Sequence, residues 1–299
     1  MYYIIIIYVD FVLLLYYILF MEDNTMKNYY GICEWSMPVS GPLAIRLAGT
    51  AGFDGMQLGE AGGRSLNFPL NHPEIQQIYN ETARHYEIRL HSLNLGALLT
   101  EGTIDFPVNT PQGDAARASI RNGIRACRAL DIRTLVITVS PKTEDAYSNA
   151  LSHLEYACRL AEISQVEIAV ESALPLPLIQ VLLDRLKGRV KVCMDILNPL
   201  RFGTGDPIEQ IQAFGTETIS HFHMKDSLRS LFTPGQRGCV LLGTGDAGYI
   251  QTAETIKKIG FQGWMITENY YYLPPMNMND DFMKFILKDF ETLTSTFES

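Results

Sequence analysis

Four polar residues close to the ends of short apolar segments are the best candidates for chemistry in this chain. They are a glutamate, an aspartate, a histidine and a second glutamate: Glu171, Asp195, His223 and Glu268. If the apolar segments are parallel strands of one barrel, these side chains meet at the rim where the strands end. Three carboxylates at one point repel each other and are costly to bury unless a cation compensates them. The pattern therefore predicts a site for a divalent metal ion.

The donor set indicates which ions suit this site. Carboxylate oxygens with a single imidazole favour Mn²⁺, Mg²⁺ or Co²⁺ over an ion that prefers thiolates, such as Zn²⁺. The donor set does not choose among these three ions. The competing interpretation of each acidic residue is ordinary, because an acidic side chain at a strand end also caps the next helix or lies in solvent.

The segment "HFHMKD" at 221–226 contains two histidines one residue apart. Strand alternation places His221, His223 and Lys225 on one face, which we expect to point into the barrel. At about 3.3 Å per residue, His223 lies about 7 Å closer to the rim than His221. We therefore expect His223 to bind the metal and His221 to support it or to pack below it. Lys225 is expected to contact a substrate oxygen or to neutralise Asp226.

Other polar residues near strand ends are candidates for substrate contact. They are Trp35, at the end of the first segment, and His91 and Asn94 on the third. Polar residues are common at such positions, so packing without a functional role is the alternative for each.

Eight segments have the length and the composition of strands, and amphipathic segments with helical periodicity separate them. This alternation predicts a single α/β domain folded as a (β/α)8 TIM barrel. A doubly wound open sheet is the alternative, but no G-x-G-x-x-G turn follows the first strand. The predicted strands are 29–35, 54–59, 88–95, 134–140, 166–172, 190–196, 219–226 and 263–269.

Residues 1–25 differ from the rest of the chain. The first 20 are almost entirely apolar, with Asp10 as the one charged residue, and they are long enough to span a membrane. We expect this leader to be either a mis-assigned start, with Met26 as the true first residue, or a membrane anchor. The barrel is expected to occupy 26–299.

Composition excludes several classes of protein. The 299 residues are 47% hydrophobic and 19% charged, which is typical of a globular chain rather than a disordered one. A net charge of −9 repels polyanions, so a nucleic-acid partner is not expected. Five cysteines without a C-x-x-C pair favour a reducing compartment, and we expect a cytoplasmic protein unless the leader anchors it.

Five segments together form a recognisable pattern: "VES" at 170–172, "MDILN" at 194–198, "HFHMKD" at 221–226, "LGTGDAGY" at 242–249 and "GWMITEN" at 263–269. They resemble motifs of the xylose isomerase-like barrel superfamily, which includes ketose 3-epimerases, hydroxypyruvate isomerases and inosose dehydratases. The resemblance extends from about Tyr29 to the C-terminus.

The resemblance implies specific roles. Glu171, Asp195, His223 and Glu268 would hold a divalent metal, most often Mn²⁺ in this superfamily, with Mg²⁺ or Co²⁺ as alternatives. The two glutamates would also act as proton acceptor and donor on opposite faces of a sugar. Arg229 matches an arginine of the ketose 3-epimerases, and Asn198 stands where those enzymes carry a histidine, so both are candidates for substrate binding. Pro177 departs from the pattern, because epimerases carry another glutamate there.

The expected function is therefore a metal-dependent sugar isomerase or epimerase that acts through a metal-stabilised enediolate. Alternatives are a lyase similar to inosose dehydratase, the catalytic subunit of a C-glycoside-cleaving enzyme, and an inactive sugar-binding barrel. The expected partner is a small sugar substrate, and assembly with further copies of the chain stays open.

Overall fold

Eight parallel strands close into a barrel in the computed structural model, which describes residues 27–232, 238–278 and 281–298. The strands are hydrogen-bonded in sequence order, and the first also pairs with the last. The predicted (β/α)8 fold is confirmed, and each predicted strand segment contains one observed strand. The strands are Tyr29–Cys33 (β1), Gly55–Leu58 (β2), Arg89–Asn94 (β3), Thr134–Val139 (β4), Glu167–Ser172 (β5), Val190–Asp195 (β6), Ile219–Met224 (β7) and Trp264–Thr267 (β8).

Helices connect the strands and cover the outside of the barrel. Side-chain caps start several of them: Thr110, Thr143, Asp206 and Asp281 each accept a hydrogen bond from a backbone N–H in the first turn. The helices are Pro42–Ala51 (α1), Pro73–His85 (α2), Gly96–Thr100 (α3), Pro111–Ala129 (α4), Glu144–Ser164 (α5), Leu176–Leu186 (α6), Asn198–Arg201 (α7), Pro207–Thr218 (α8), Tyr249–Lys258 (α9) and Phe282–Glu298 (α10).

Strand side chains alternate between the helices and the interior of the barrel. In β4, Leu135 and Ile137 join the core shared with the helices, whereas Val136 packs with Ala169 and Cys193 in a separate small cluster. The same alternation places His221 and His223 of β7 on one face, and both are fully buried. The two histidine side chains of β7 thus lie in the interior of the barrel, below and at the candidate site.

The indole of Trp264 needs a space that two glycines provide. A Cβ atom added at Gly55 would lie 2.5 Å from the Trp264 ring and 2.6 Å from the backbone oxygen of Arg89. A Cβ atom at Gly31 would lie 3.3 Å from Ile266 and 3.5 Å from the same indole. The two glycines therefore let an aromatic side chain pack closely against the first two strands.

Replacing Gly55 with alanine should lower the free energy of unfolding by about 1–3 kcal/mol, because the backbone oxygen of Arg89 cannot move away from the new methyl group. Denaturant unfolding measures this change. Gly96→Ala is the matched control, since its Cβ would meet its nearest atom at 3.8 Å, an ordinary contact. Equal stabilities for the two variants would contradict the close packing at Trp264.

The predicted leader, 1–25, lies outside the described residues, so its two interpretations and the 26–299 domain boundary stay predictions. Among the residues that the structure describes, none of the helices is long and apolar enough to cross a membrane.

Candidate active site

The four predicted ligands converge at the rim of the barrel. Glu171 and His223 lie near the ends of β5 and β7, Asp195 ends β6, and Glu268 directly follows β8. All four are buried, with side chains from consecutive strands. One donor atom from each lies within 4.8 Å of the donor atoms of the other three. The structure thus brings together the residues that the sequence singled out, and their roles stay predictions.

Glu171 is held by uncharged donors. The Thr138 hydroxyl donates to its Oε2 at 3.1 Å, and Nδ2 of Asn198 donates to its Oε1 at 3.3 Å. The same Oε1 lies 3.6 Å from Nδ1 of His223. These contacts fix the carboxylate while leaving one oxygen beside the histidine.

Two aromatic side chains hold one oxygen of Glu268. The indole N–H of Trp35 donates to Oε1 at 2.9 Å, and the Tyr270 hydroxyl donates to the same oxygen at 3.3 Å. Oε2 then points inward and lies 3.1 Å from Nδ1 of His223. Trp35 therefore orients a predicted ligand, and its contact with a substrate stays a prediction.

Asp195 is oriented by the backbone of the chain that follows it. The N–H groups of Leu197 and Asn198 both donate to its Oδ1 at 2.8 Å. This turn leaves Oδ2 facing the cluster. Asn198 also reaches Lys225, whose Nζ donates to its Oδ1 at 3.4 Å.

Lys225 is a buried cation between two of the carboxylates. Its Nζ lies 2.6 Å from Oδ2 of Asp195 and 2.6 Å from Oε2 of Glu268. The lysine pairs with these residues rather than with Asp226, whose Oδ1 and Oδ2 accept from the backbone N–H groups of Ser227 and Gly245. A single ammonium leaves three clustered carboxylates only partly neutralised.

Burial and ion pairing perturb the titration of these groups. Burial lowers the pKa of Lys225, but Asp195 and Glu268 outweigh it and raise that pKa well above its usual range. Burial raises the pKa of Glu268, but Lys225 and His223 outweigh it and hold that pKa well below normal. For Asp195 burial prevails over the attraction of Lys225, and its pKa is raised. The lysine is therefore charged, and Glu268 is a carboxylate.

The residues present fit a divalent ion. Three buried atoms make no hydrogen bond of acceptable geometry within the described part of the chain: Nδ1 of His223, Oδ2 of Asp195 and Oε2 of Glu268. Two of these atoms face the Lys225 ammonium at 2.6 Å, and a divalent cation shared by all three would neutralise the charge that the single ammonium leaves. Oxygen donors with one imidazole nitrogen are the set preferred by Mn²⁺ and related hard ions.

Residues 45–286 match the family model described as xylose isomerase-like TIM barrel. The chain belongs to this family. The match covers every strand from β2 to β8, and it includes all four predicted ligands.

Individual relatives in and around the xylose isomerase-like family are distant in sequence. A 2-epi-5-epi-valiolone 7-phosphate 2-epimerase from Actinoplanes sp. is 25% identical over 232 residues, which is 76% of this chain and 81% of the relative. A solved D-allulose 3-epimerase from Methylomonas sp. has a TM-score of 0.70 at 15% identity, covering 91% of this chain and 99% of the other. A xylose isomerase domain protein from Planctomyces limnophilus has a TM-score of 0.69 at 15% identity, covering 91% and 96%.

The two other histidines singled out in the sequence, His91 and His221, lie beside the cluster. His221 packs with its ring centroid 5.6 Å from that of His223 and 4.8 Å from that of His91. His91 also contacts Trp264 at 4.6 Å. Burial lowers the pKa of His91 to about 3, so its ring is neutral. Contact between His91 and a substrate stays a prediction.

Arg229 lies in a neighbouring cavity. Its backbone N–H donates to Oδ1 of Asp246 at 2.6 Å, and its Nε donates to the backbone oxygen of Asp246 at 3.1 Å. It lines a cavity of about 380 Å³ with residues from the starts of α8 and α9. The described contacts thus hold Arg229 to the loop before α9, and its predicted role in substrate binding stays a prediction.

Sequence reasoning missed residues on two other strands that hold the cluster. Gln57 of β2 lies with its Oε1 2.6 Å from Nε2 of His223, and Thr138 of β4 contacts Glu171. A signal for Gln57 was present, because a polar side chain inside a short apolar strand of a barrel needs a buried partner. The sequence does not identify that partner, which lies 166 positions later in the chain.

Proposed function

We propose that this chain is a divalent-metal-dependent isomerase or epimerase of sugars. The observation that carries the proposal is the buried cluster of Glu171, Asp195, His223 and Glu268, with donor atoms within 4.8 Å of one another. Membership of the xylose isomerase-like family supports it, as do relatives that are named as a 2-epi-5-epi-valiolone 7-phosphate 2-epimerase and a D-allulose 3-epimerase.

The four residues of the cluster would hold the ion, and Mn²⁺ is the one we expect. When bound, a divalent ion polarises a sugar carbonyl and stabilises the negative charge that develops as a neighbouring C–H proton leaves. The remaining side chains supply orientation. Trp35 and Tyr270 hold one oxygen of Glu268, so that its other oxygen stays directed at the cluster.

Glu171 and Glu268 are the proposed bases of the reaction. They extend from β5 and from the end of β8, so they approach a bound sugar from different sides of the rim. One removes the proton from carbon and the other returns it. Return to the opposite face of the same carbon gives an epimer, and return to the next carbon gives an isomer. Loss of a neighbouring hydroxyl after the first step gives a dehydrated product.

Lys225 and Asn198 are the proposed contacts to substrate oxygens. Lys225 carries a buried positive charge at 2.6 Å from two ligand carboxylates, and Asn198 bridges Glu171 and Lys225. A sugar hydroxyl or carbonyl that enters the cluster meets both side chains. They would therefore orient the substrate carbon toward the glutamates.

A panel of substrates tests the function. Free ketoses, inososes and their phosphate esters are incubated with the protein and Mn²⁺, and the products are identified by NMR as epimers, isomers or dehydrated sugars. We expect turnover of at least one sugar that carries a carbonyl beside a hydroxyl, and loss of that turnover with a chelator. Metal binding without turnover of any member would contradict the enzyme and favour a sugar-binding barrel.

A further inference from the structure

Gln57 makes the shortest described contact to the predicted ligand histidine. It lies on β2, its side chain is fully buried, and its Oε1 lies 2.6 Å from Nε2 of His223 on β7. The partner is thus reached across the interior of the barrel rather than from a neighbouring strand. A contact this short between two buried polar atoms indicates a hydrogen bond and not simple packing.

The carboxamide of Gln57 presents its oxygen to the histidine. The Cys33 thiol donates to the same Oε1 at 3.7 Å, within the range for sulfur. An oxygen accepts hydrogen bonds and cannot donate them, so the proton of the short contact belongs to Nε2 of His223.

A proton on Nε2 decides what the other nitrogen does. In an imidazole that binds a metal only one nitrogen carries hydrogen, so a proton held on Nε2 leaves Nδ1 as the ligand atom. Nδ1 is the atom that lies 3.1 Å from Oε2 of Glu268 and 3.6 Å from Oε1 of Glu171. It also lacks a hydrogen bond of acceptable geometry among the described residues. Nδ1 is therefore the nitrogen that faces the carboxylates, and it is the nitrogen available to an ion that they bind.

A competing donor set surrounds Nε2. Cys193, His221 and His223 also offer donor atoms within 4.8 Å of one another, and Nε2 of His223 lies 3.4 Å from the sulfur of Cys193. Sulfur with two imidazoles suits a soft ion such as Zn²⁺ or Cu⁺. His223 thus stands between a hard donor set on its Nδ1 side and a soft donor set on its Nε2 side.

We propose that Gln57 is a positioning residue that keeps the proton on Nε2 of His223, which directs Nδ1 to the metal and closes the Cys193–His221 side to it. This inference rests on the proposed metal site. Its physical basis is that the hydrogen bond to the second nitrogen of a ligating histidine sets which nitrogen binds the metal.

The test uses the full chain labelled with ¹⁵N-histidine. In both the metal-free and the Zn²⁺-loaded protein, we expect a slowly exchanging proton on Nε2 of His223, with Nδ1 losing its proton or shifting when Zn²⁺ is added. Gln57→Met, which lacks an acceptor, should speed exchange of this proton and weaken Zn²⁺ and Mn²⁺ binding by about 10–100-fold. Gln57→Glu keeps an oxygen acceptor and should restore slow exchange.

Cys193→Ala and Co²⁺ provide the controls. The alanine variant should keep the Nε2 proton and the affinity for Mn²⁺, and Co²⁺-loaded wild-type protein should lack a sulfur-to-cobalt charge-transfer band. That band in the wild-type protein, or a Zn²⁺ ion on Nε2, would overturn the inference. The inference would also be overturned if the Nε2 proton exchange rate and the metal affinity of Gln57→Met equalled those of the wild-type chain. A chain that binds none of these ions would instead contradict the proposed function. The two failures are distinguishable, because the Nε2 proton is also measured in the metal-free protein, where it reports on Gln57 alone.

Discussion

Replacing either Glu171 or Glu268 with glutamine should lower turnover by about 10²- to 10⁴-fold, while a divalent ion stays bound. Glutamine keeps a carbonyl oxygen at the position of a ligand atom but cannot accept a proton from carbon. With a substrate deuterated at the reacting carbon, one of the two variants should still exchange the label with solvent without forming product. Steady-state rates, metal content and the label together separate the loss of a base from the loss of the ion.

Glu167→Gln is the matched control for these variants. It makes the same change on β5, but Glu167 is exposed and bonds to the Ser220 hydroxyl at 2.9 Å, remote from the rim. Its turnover should equal that of the wild-type chain. Near-native turnover in both Glu171→Gln and Glu268→Gln would show that the bases have been placed on the wrong residues.

Replacing Lys225 with methionine should make the stability of the barrel depend on metal. The ammonium lies 2.6 Å from Asp195 and from Glu268, and its removal leaves buried carboxylates without their cation. Removing one partner of a buried ion pair costs about 3–5 kcal/mol, so the metal-free variant should be destabilised by that amount. Saturating Mn²⁺ should restore most of this stability, because the ion neutralises the same oxygens.

Denaturant unfolding with a chelator and with Mn²⁺ measures the effect of the lysine. Lys288→Met is the matched control, because Lys288 forms an ion pair with Glu291 at 3.2 Å on the surface, where both side chains are more than half exposed. Such pairs contribute about 0–1 kcal/mol. If Lys225→Met without metal is as stable as Lys288→Met, the lysine does not compensate the cluster.

The strands were predictable because their composition and spacing are regular. Apolar runs with β-branched residues recur between amphipathic segments, and each observed strand lies within its predicted segment. The barrel then follows from the number of units. The C-terminal ends of all eight strands meet at one rim, so the convergence of Glu171, Asp195, His223 and Glu268 could be inferred before any interatomic distance was known.

The supporting contacts were not predictable, because they join side chains from strands that are far apart in sequence. Gln57 meets His223 across the barrel, and Trp35 meets Glu268 where the first and last strands adjoin. Lys225 was assigned to substrate or to Asp226, but its pairing with Asp195 depends on how the chain turns after β7. Strand alternation gives the face on which a side chain lies and does not give its partner.

Metal-dependent incorporation of solvent deuterium into the sugar tests the central claim most directly, because it reports removal of the C–H proton whatever the final product is. A substrate from the panel is incubated in D₂O with metal-free protein, and Mn²⁺ is added to one ion per chain. The account predicts label at the carbon beside the carbonyl only after Mn²⁺ is added, and its loss in His223→Ala. Exchange that persists in chelator, or that survives in His223→Ala at the wild-type rate, would contradict it.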